Sequence, residues 1–352
     1  MKTVKEGLAR IQVPSESLTK KSETFYNPVM EHQRNVTIAC LRLTEPKIVL
    51  DPLAATGVRG IRILKEVPGV NKVVFNDRNP TAVKYIQKNL KLNKIAKKRY
   101  EIHGKNANAL FLEGGRYDYV DIDPFGSPVK FFPDVAHALR KDSILGVTAT
   151  DSGALAGKFA GACFRRYGIK VGRTDFPKEL GIRVLITFIL RDLARYDFTL
   201  EPLYSHANHY FRVMGRVSYG PEKNLSEIEM VSYCKKCHSK VIGVEKKCGC
   251  GRKYEIIGPL WTGNIQDRDF CRKLLANFEF GNRREIMLCS EEIDSPFYYD
   301  LHQIAKSLKK GSPKIDKVIE ALRKDGFKAS RTHLCLTGVK TNAGIIDVKR
   351  FI

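Results

Sequence analysis

Asp121 and Asp123 lie in the stretch Tyr119-Val120-Asp121-Ile122-Asp123-Pro124-Phe125-Gly126-Ser127-Pro128, alternating with apolar residues at the end of a short predicted strand. Period-2 alternation points both carboxylates to one side, with Val120 and Ile122 facing the other. Pro124 fixes φ in the turn that follows, and Gly126 lets the backbone bend sharply after Phe125. These residues predict a rigid carboxylate beside an aromatic face, at the C-terminal edge of a parallel sheet, where open α/β folds bind their ligands. A planar nucleobase can stack on Phe125 while its exocyclic amine donates hydrogen bonds to Asp123. Such an amine is a weak nucleophile, because its lone pair is delocalised into the ring. Holding its hydrogens on acceptors aims the nitrogen at an electrophile and helps a proton leave. A plain β-turn closing a buried strand would use the same residues.

A second group of chemically capable residues comes later. Cys234-Lys235-Lys236-Cys237 and Cys248-Gly249-Cys250-Gly251 are two thiol pairs ten residues apart among lysines and glycines. Four thiolates so spaced suit tetrahedral Zn²⁺ in a ribbon at about residues 230–257. The second pair is Cys-x-Cys, which leaves His238 open as a replacement for one ligand, and leaves open a degenerate ribbon without metal. Cys40, Cys163, Cys271, Cys289 and Cys335 are scattered and read as core residues.

Composition narrows the partner. The chain has 352 residues, enough for two domains, and its 43% hydrophobic content marks an ordered protein. Lys+Arg 61 against Asp+Glu 38 gives a net charge of +23, which suits a polyanion, nucleic acid first. With no 18-residue apolar run and no signal peptide at its start, the sequence predicts no membrane binding. Nine cysteines, an odd number, without a secretory signal argue for a reduced, cytoplasmic protein instead of a disulfide framework. Nothing points to an obligate protein partner.

The elements that must hold these groups follow from hydrophobic patterning. Residues 1–26 are polar and basic, with Lys20-Lys21 ahead of Phe25-Tyr26. Asn27-Pro28 opens a helix predicted to run to about Leu43, with Arg34 on its polar side. Lys47–Asp51 reads as a buried strand, followed by the small-residue loop Pro52–Gly60 and a helix through Ile61–Leu64. This is the first βα unit of a nucleotide-type site. Only Gly57 and Gly60 of the full glycine fingerprint are present, which favours a nucleoside without phosphates. Lys72–Asp77 is a second strand ending in an acid 26 residues after Asp51, near the spacing at which an acid binds ribose hydroxyls. Tyr100–His103 is a third strand, and Gly104–Asn108 after it could meet an adenine amine and ring. Ile144–Thr150 makes a fifth strand, the span Arg183–Tyr196 a helix, and Phe198–Leu203 with Tyr210–Tyr219 an antiparallel pair closing the sheet. Composition changes near Pro221. Beyond it, Gly258–Gly263 reads as a loop with the only tryptophan. Residues 301–352 carry 12 Lys/Arg against 4 Asp/Glu. There a helix through Ile315–Leu322 and the strand Leu334–Leu336 suggest a winged-helix-type nucleic-acid module or a solvated basic tail. The predicted fold is α/β, with domains at 1–220 and 221–352.

The turn at Asp123 resembles the Asp/Asn-Pro-Pro-Phe/Tyr element of amino-directed S-adenosylmethionine methyltransferases, with Phe125 replacing the second proline. In order along the chain stand Phe25-Tyr26-Asn27-Pro28 with Arg34, Asp51-Pro52 to Gly57-Val58-Arg59-Gly60, Asn76-Asp77, Asp123-Pro124-Phe125-Gly126, the cysteine pairs and Gly258-Pro259-Leu260-Trp261. Together they resemble the tRNA (guanine-26, N2) dimethyltransferases, of archaeal type, over nearly the whole length. The resemblance implies a class I, Rossmann-like methyltransferase sheet, with a smaller α+β domain carrying the zinc-ribbon-like insert. It implies S-adenosyl-L-methionine as methyl donor and tRNA as substrate. It places Asp123 in catalysis and Phe25, Asn27, Pro124 and Phe125 against the base. Arg34, Asp51, Arg59, Asp77, Asn106, Ala107 and Asp121 would line the cofactor pocket, and the basic C-terminal domain would hold the tRNA body. An adenine amino-methyltransferase, or a non-catalytic zinc-ribbon RNA-binding protein, would share many of these features. Carbon-5 cytosine methylation is disfavoured, since the fourth strand offers no nucleophilic cysteine.

Overall fold

The computed structural model describes residues 2–15 and 24–352; Lys20 and Lys21 lie outside them. The chain opens with a hairpin, β1 (Lys2–Glu6) and β2 (Ala9–Val13), where composition alone suggests a polar, basic arm. Ala9, Ile11 and Val13 are fully buried while Arg10 faces out, so β2 is an amphipathic strand. Its outer edge is satisfied by side chains: Asn93 Oδ1 accepts from Arg10 N at 2.9 Å and Asn89 Oδ1 from Gln12 N at 2.7 Å.

The central sheet contains β3 (Ile48–Asp51), β4 (Lys72–Asn76), β5 (Tyr100–His103), β6 (Tyr119–Ile122), β7 (Ile144–Ala149), β8 (Phe198–Ala207) and β9 (Phe211–Tyr219). Their order is β5-β4-β3-β6-β7-β9-β8, with the first five parallel and β9 and β8 antiparallel. β3 and β6 are neighbours joined by crossovers that leave in opposite directions. That is a topological switch point, and the loops after both strands open on the same crevice. Helices Glu31–Thr44 and Val58–Glu66 cover the sheet near this point. Gly60 is required there: a Cβ would come within 2.3 Å of the Phe75 ring, so the absence of one lets the helix lie close on β4.

The helix predicted from Arg183 starts earlier, at Pro177, and ends at Leu193. A second sheet has the order β11 (Lys240–Ile242), β10 (Ile228–Tyr233), β12 (Glu255–Trp261). The predicted loop around Trp261 is instead the end of β12. It is held against the long helix, where Trp261 N donates to Thr187 Oγ1 at 2.7 Å. The main hydrophobic core does not part at Pro221, where composition changes. Val231, Ile257, Leu260 and Trp261 pack with the core of the central sheet. Apart from the small cluster around Cys234, Cys237 and Cys248, a separate small core forms from Tyr299 onward. It comprises β13 (Tyr299–Asp300), helices Leu301–Ser307 and Ile315–Lys324, and the hairpin β14 (Ala329–Thr332) and β15 (Cys335–Thr341), in the sheet order β13-β15-β14. Among the described residues, no helix is long and apolar enough to cross a membrane.

Candidate active site and cysteine cluster

Asp121 and Asp123 do point to one side, and one cation meets both. Arg59, from the helix after β3, places Nη1 3.0 Å from Asp121 Oδ2 and pairs through Nη2 with Asp123 Oδ2. Their surroundings then diverge. Asp121 is 1% exposed and closed in from every side. Tyr119 Oη donates to it, Arg212 Nη1 donates to Oδ1 at 3.1 Å and Arg212 Nη2 to Oδ2 at 2.9 Å. Burial alone would raise its pKa, but Arg212 and then Arg59 hold it below the usual carboxylate range. Asp123 lies half-buried at the strand end. Its Oδ2 takes Arg59 and, at 3.4 Å, Gln33 Nε2, while among the described residues Oδ1 takes no bond. Pro124 is buried and Phe125 is 63% exposed, with the Phe25 ring edge-on to it at 4.3 Å between centroids. Asn27, two residues after Phe25, caps the next helical turn, its Oδ1 accepting from Val29 N at 2.9 Å.

The strand ends beside this turn carry the other predicted positions. Asp51, at the end of β3, is 4% exposed, and its Oδ2 has no hydrogen-bond partner among the described residues. Burial, opposed by Arg59 and reinforced by Asp121, Asp123 and Asp77, pushes its pKa up to about 7. Asp77, just past β4, accepts Ala55 N at 3.0 Å and Asn79 N at 2.9 Å. This holds Ala55 in a left-handed turn (φ 48°), a conformation that ordinary residues seldom adopt. Burial keeps the Asp77 carboxyl above its usual range despite those two bonds. Asn106 caps the helix Ala107–Leu112 beyond β5, and Ala107 is buried. Arg34 is turned away from this edge. It forms a two-pronged pair with the buried Glu6, at 2.6 and 2.5 Å, and its Nη2 donates to the Asn27 carbonyl at 3.1 Å.

The four thiols converge. The Sγ atoms of Cys234, Cys237, Cys248 and Cys250 all lie within 4.8 Å of one another, with Cys234–Cys250 at 3.5 Å and Cys237–Cys248 at 3.4 Å. Those distances are too long for disulfides and suit four ligands around a common centre. His238 faces elsewhere, with Nδ1 3.3 Å from Tyr233 Oη and 3.9 Å from Asp175 Oδ1.

A family model described as N2,N2-dimethylguanosine tRNA methyltransferase matches residues 7–352. The chain belongs to that family. The tRNA (guanine(26)-N(2))-dimethyltransferase of Methanosphaera stadtmanae is 37% identical to it, covering 99% of this chain and 96% of its own. A relative from Aquifex aeolicus, named for both guanine 26 and guanine 27, is 34% identical over 99% of this chain and 95% of its own. A solved complex of Trm1 from Pyrococcus horikoshii with S-adenosyl-L-methionine superposes with a TM-score of 0.92 at 30% identity, over the whole of both chains. The resemblance drawn from the ordered motifs therefore holds.

Within this dimethyltransferase fold, four polar residues to which the motifs assign no role support the edge. Gln33 is 2% exposed, accepts Arg59 Nη2 at 3.0 Å and donates to Thr148 Oγ1 at 2.8 Å. Arg212, from β9, reaches the same Thr148 oxygen at 2.7 Å. Gly146 leaves the room: a Cβ there would approach Arg212 Nη2 to 2.9 Å. Asn76, fully buried, ties the two cofactor-side loops together. It donates to the carbonyls of Pro52 and Lys105, each at 3.0 Å, and accepts Lys105 N at 2.9 Å. Only Asn76, at a strand end beside Asp77, gives a local signal; the other three are recognisable only by partners distant in sequence.

Proposed function

We propose that this chain transfers methyl groups from S-adenosyl-L-methionine to the N2 amine of guanosine 26 in tRNA, giving the monomethylated and then the dimethylated base, in the cytoplasm. The observation that carries this is Asp123, held by Arg59 with one oxygen free beside the exposed Phe125 ring. Guanine presents N1–H and N2–H₂ on one edge, a pattern that a carboxylate can accept. Flipping the base out of the tRNA exposes that edge, at a cost of roughly a few kcal/mol. Phe125 and Phe25 then give it a stacking face and a wall. Asp123 orients the amine and accepts its proton as the new C–N bond forms. Nucleoside mass spectrometry of tRNA incubated with protein and cofactor tests this. N2-methylated guanosine is expected, and unmodified guanosine alone would defeat the reading.

The cofactor supplies an electrophilic methyl group on a sulfonium. The residues at the switch point fit it. Asp51, with an unpartnered buried oxygen, suits the ammonium of the amino-acid arm, and Asp77 suits the ribose hydroxyls. Asn106 and Ala107 would border the adenine. Arg34, Arg59 and Asp121 act from behind, by fixing the Asn27 turn and the Asp123 carboxylate. A cation beside Asp51 favours its ionised form. Cofactor affinity should therefore rise as the pH climbs toward about 7, where Asp51 ionises in the free protein, below the range in which the ligand amine loses its proton. Isothermal titration should show this for wild type and a flat, weaker profile for Asp51→Asn; equal profiles would remove Asp51 from the site.

The four cysteines would hold one structural Zn²⁺ in a ribbon-like insert, and residues 221–352 would hold the tRNA body, with a winged-helix-like unit within residues 301–352. Elemental analysis of protein prepared without chelator should give one zinc per chain. Removing it should lower stability or tRNA binding more than cofactor affinity. Metal-free protein of full stability would exclude the zinc.

A further inference from the structure

Phe159 and Phe164 are 57% and 62% exposed, and neither serves the pocket described above. Both lie in the segment that follows β7, which contains the short helix Ser152–Leu155 and the helix Ala160–Tyr167. From Ser152 to Thr174 the sequence has Lys158, Arg165, Arg166, Lys170 and Arg173, and no Asp or Glu. All five cations are exposed. The Lys158 ammonium lies 5.4 Å from the centroid of the Phe159 ring. Of the five, only Arg166 has a carboxylate partner among the described residues, Asp151, and apolar rings interleaved with such cations suit a polyanion with planar faces, which is the chemistry of RNA and not of an apolar protein surface.

The exposed ring is held in place. Phe159 N donates to the Gly153 carbonyl at 2.8 Å, and a Cβ on Gly153 would come within 2.6 Å of the Phe159 ring. The segment is also bound to the turn that carries Asp123. Gly126 N donates to Thr150 Oγ1 at 2.7 Å, and Thr150 N returns a bond to the Gly126 carbonyl at 2.9 Å. Ser127 Oγ donates to Tyr167 Oη at 3.0 Å, and Tyr167 donates on to Asp151 at 2.7 Å, where Arg166 also pairs. A ring on this segment therefore stays at a fixed place relative to Phe125.

We infer that the face formed by Phe159, Phe164, Lys158 and Arg165 docks the tRNA nucleotides flanking the extruded guanosine. The inference rests on the function proposed above and adds to it where the rest of the RNA strand lies at the moment of transfer. Extruding a base leaves its neighbours without a stacking partner on one side. An aromatic ring beside the exit replaces that partner, and the cations meet the phosphates on either side.

Phe159→Ala and Phe164→Ala should each weaken tRNA binding by about tenfold, the scale of one base–aromatic stack. Lys158→Gln with Arg165→Gln should lower the slope of log affinity against log salt by about one for each phosphate no longer neutralised. Cofactor affinity and thermal midpoint should stay at wild-type values in all of these variants, since every altered side chain is exposed. Binding by fluorescence anisotropy needs no turnover, so it separates this surface from the methyl transfer itself. Unchanged tRNA affinity and salt slope would overturn the inference. So would a wild-type dimer, seen by sedimentation, that the phenylalanine variants dissolve, because the face would then be covered by a second copy. If wild type methylates no guanosine yet loses tRNA affinity through these substitutions, the functional reading falls and the surface stands.

Discussion

Asp123→Asn should fold normally, bind cofactor within a few-fold of wild type, and lose methyl transfer by at least about 100-fold, the lower end for a positioned acid–base group. The substitution keeps shape and removes charge. Asparagine can still hold one guanine hydrogen on its carbonyl, so base docking should fall less than the chemical step. What it lacks is an anionic oxygen to accept the proton released as nitrogen becomes substituted. The effect is not expected to spread, because the support behind Asp123 is independently satisfied. Arg59 stays 3.0 Å from Asp121, and Arg212 still holds both Asp121 oxygens. Single-turnover kinetics at saturating cofactor and tRNA isolates that step. A rate within a few-fold of wild type would take Asp123 out of the chemistry and leave it as a structural partner of Arg59.

The strands that build this edge are legible because buried parallel strands are short apolar runs between turn residues, as in Val49-Leu50 before Asp51 and Val73-Val74-Phe75 before Asn76. The Asp123 turn is legible because proline and glycine constrain the backbone whatever surrounds them. The N-terminal hairpin is easily missed, since Lys2, Lys5 and Glu6 set the tone of the segment, although Ala9, Ile11 and Val13 alternate after Gly7 in a plain strand pattern. Buried arginines are harder. Arg212 and Arg216 occupy the same face of β9, four residues apart, yet Arg212 is 1% exposed and Arg216 is only partly buried. The difference is Asp121, which is 91 residues away in sequence, so no local pattern separates the two. Spacing alone allows His238 as a metal ligand. Its left-handed backbone (φ 66°) accompanies a ring whose Nδ1 is turned toward Tyr233 and Asp175.

The largest stability loss is expected at Glu179, a residue in no motif. It is fully buried in the long helix and accepts Arg183 Nε at 2.9 Å and Nη2 at 2.7 Å. It also accepts the backbone N–H groups of Phe297 at 2.7 Å and Tyr298 at 3.0 Å, and lies 3.5 Å from Lys340 Nζ. One carboxylate thus fastens the C-terminal segment to the central sheet while neutralising a buried guanidinium. Glu179→Ala leaves Arg183 without its anion and two backbone donors without acceptors. The expected cost is about 3–5 kcal/mol, as for other buried pairs broken on one side. Glu179→Gln, which keeps an acceptor oxygen, should fall between the two. Burial alone would raise the pKa of Glu179, but Lys340 and Arg183 hold it below its ordinary value of 4.5. A carboxyl with a depressed folded-state pKa contributes stability above its unfolded-state value and loses it as pH falls through the folded one. The gap between wild type and Glu179→Gln should therefore be constant near neutrality and narrow once the pH drops below that ordinary value. Chemical denaturation across that range measures it, and a neutral-pH difference under about 1 kcal/mol would refute the role, being no more than an exposed ion pair supplies. The same interactions bear on where tRNA binds. Deleting residues 301–352 removes Lys340 and strips β13 of its partner strand, so Glu179 and Arg183 lose part of their surroundings along with the basic surface. A loss of tRNA affinity in such a truncation would mix two causes, whereas charge substitutions on exposed lysines of that segment leave Glu179 and its partners in place.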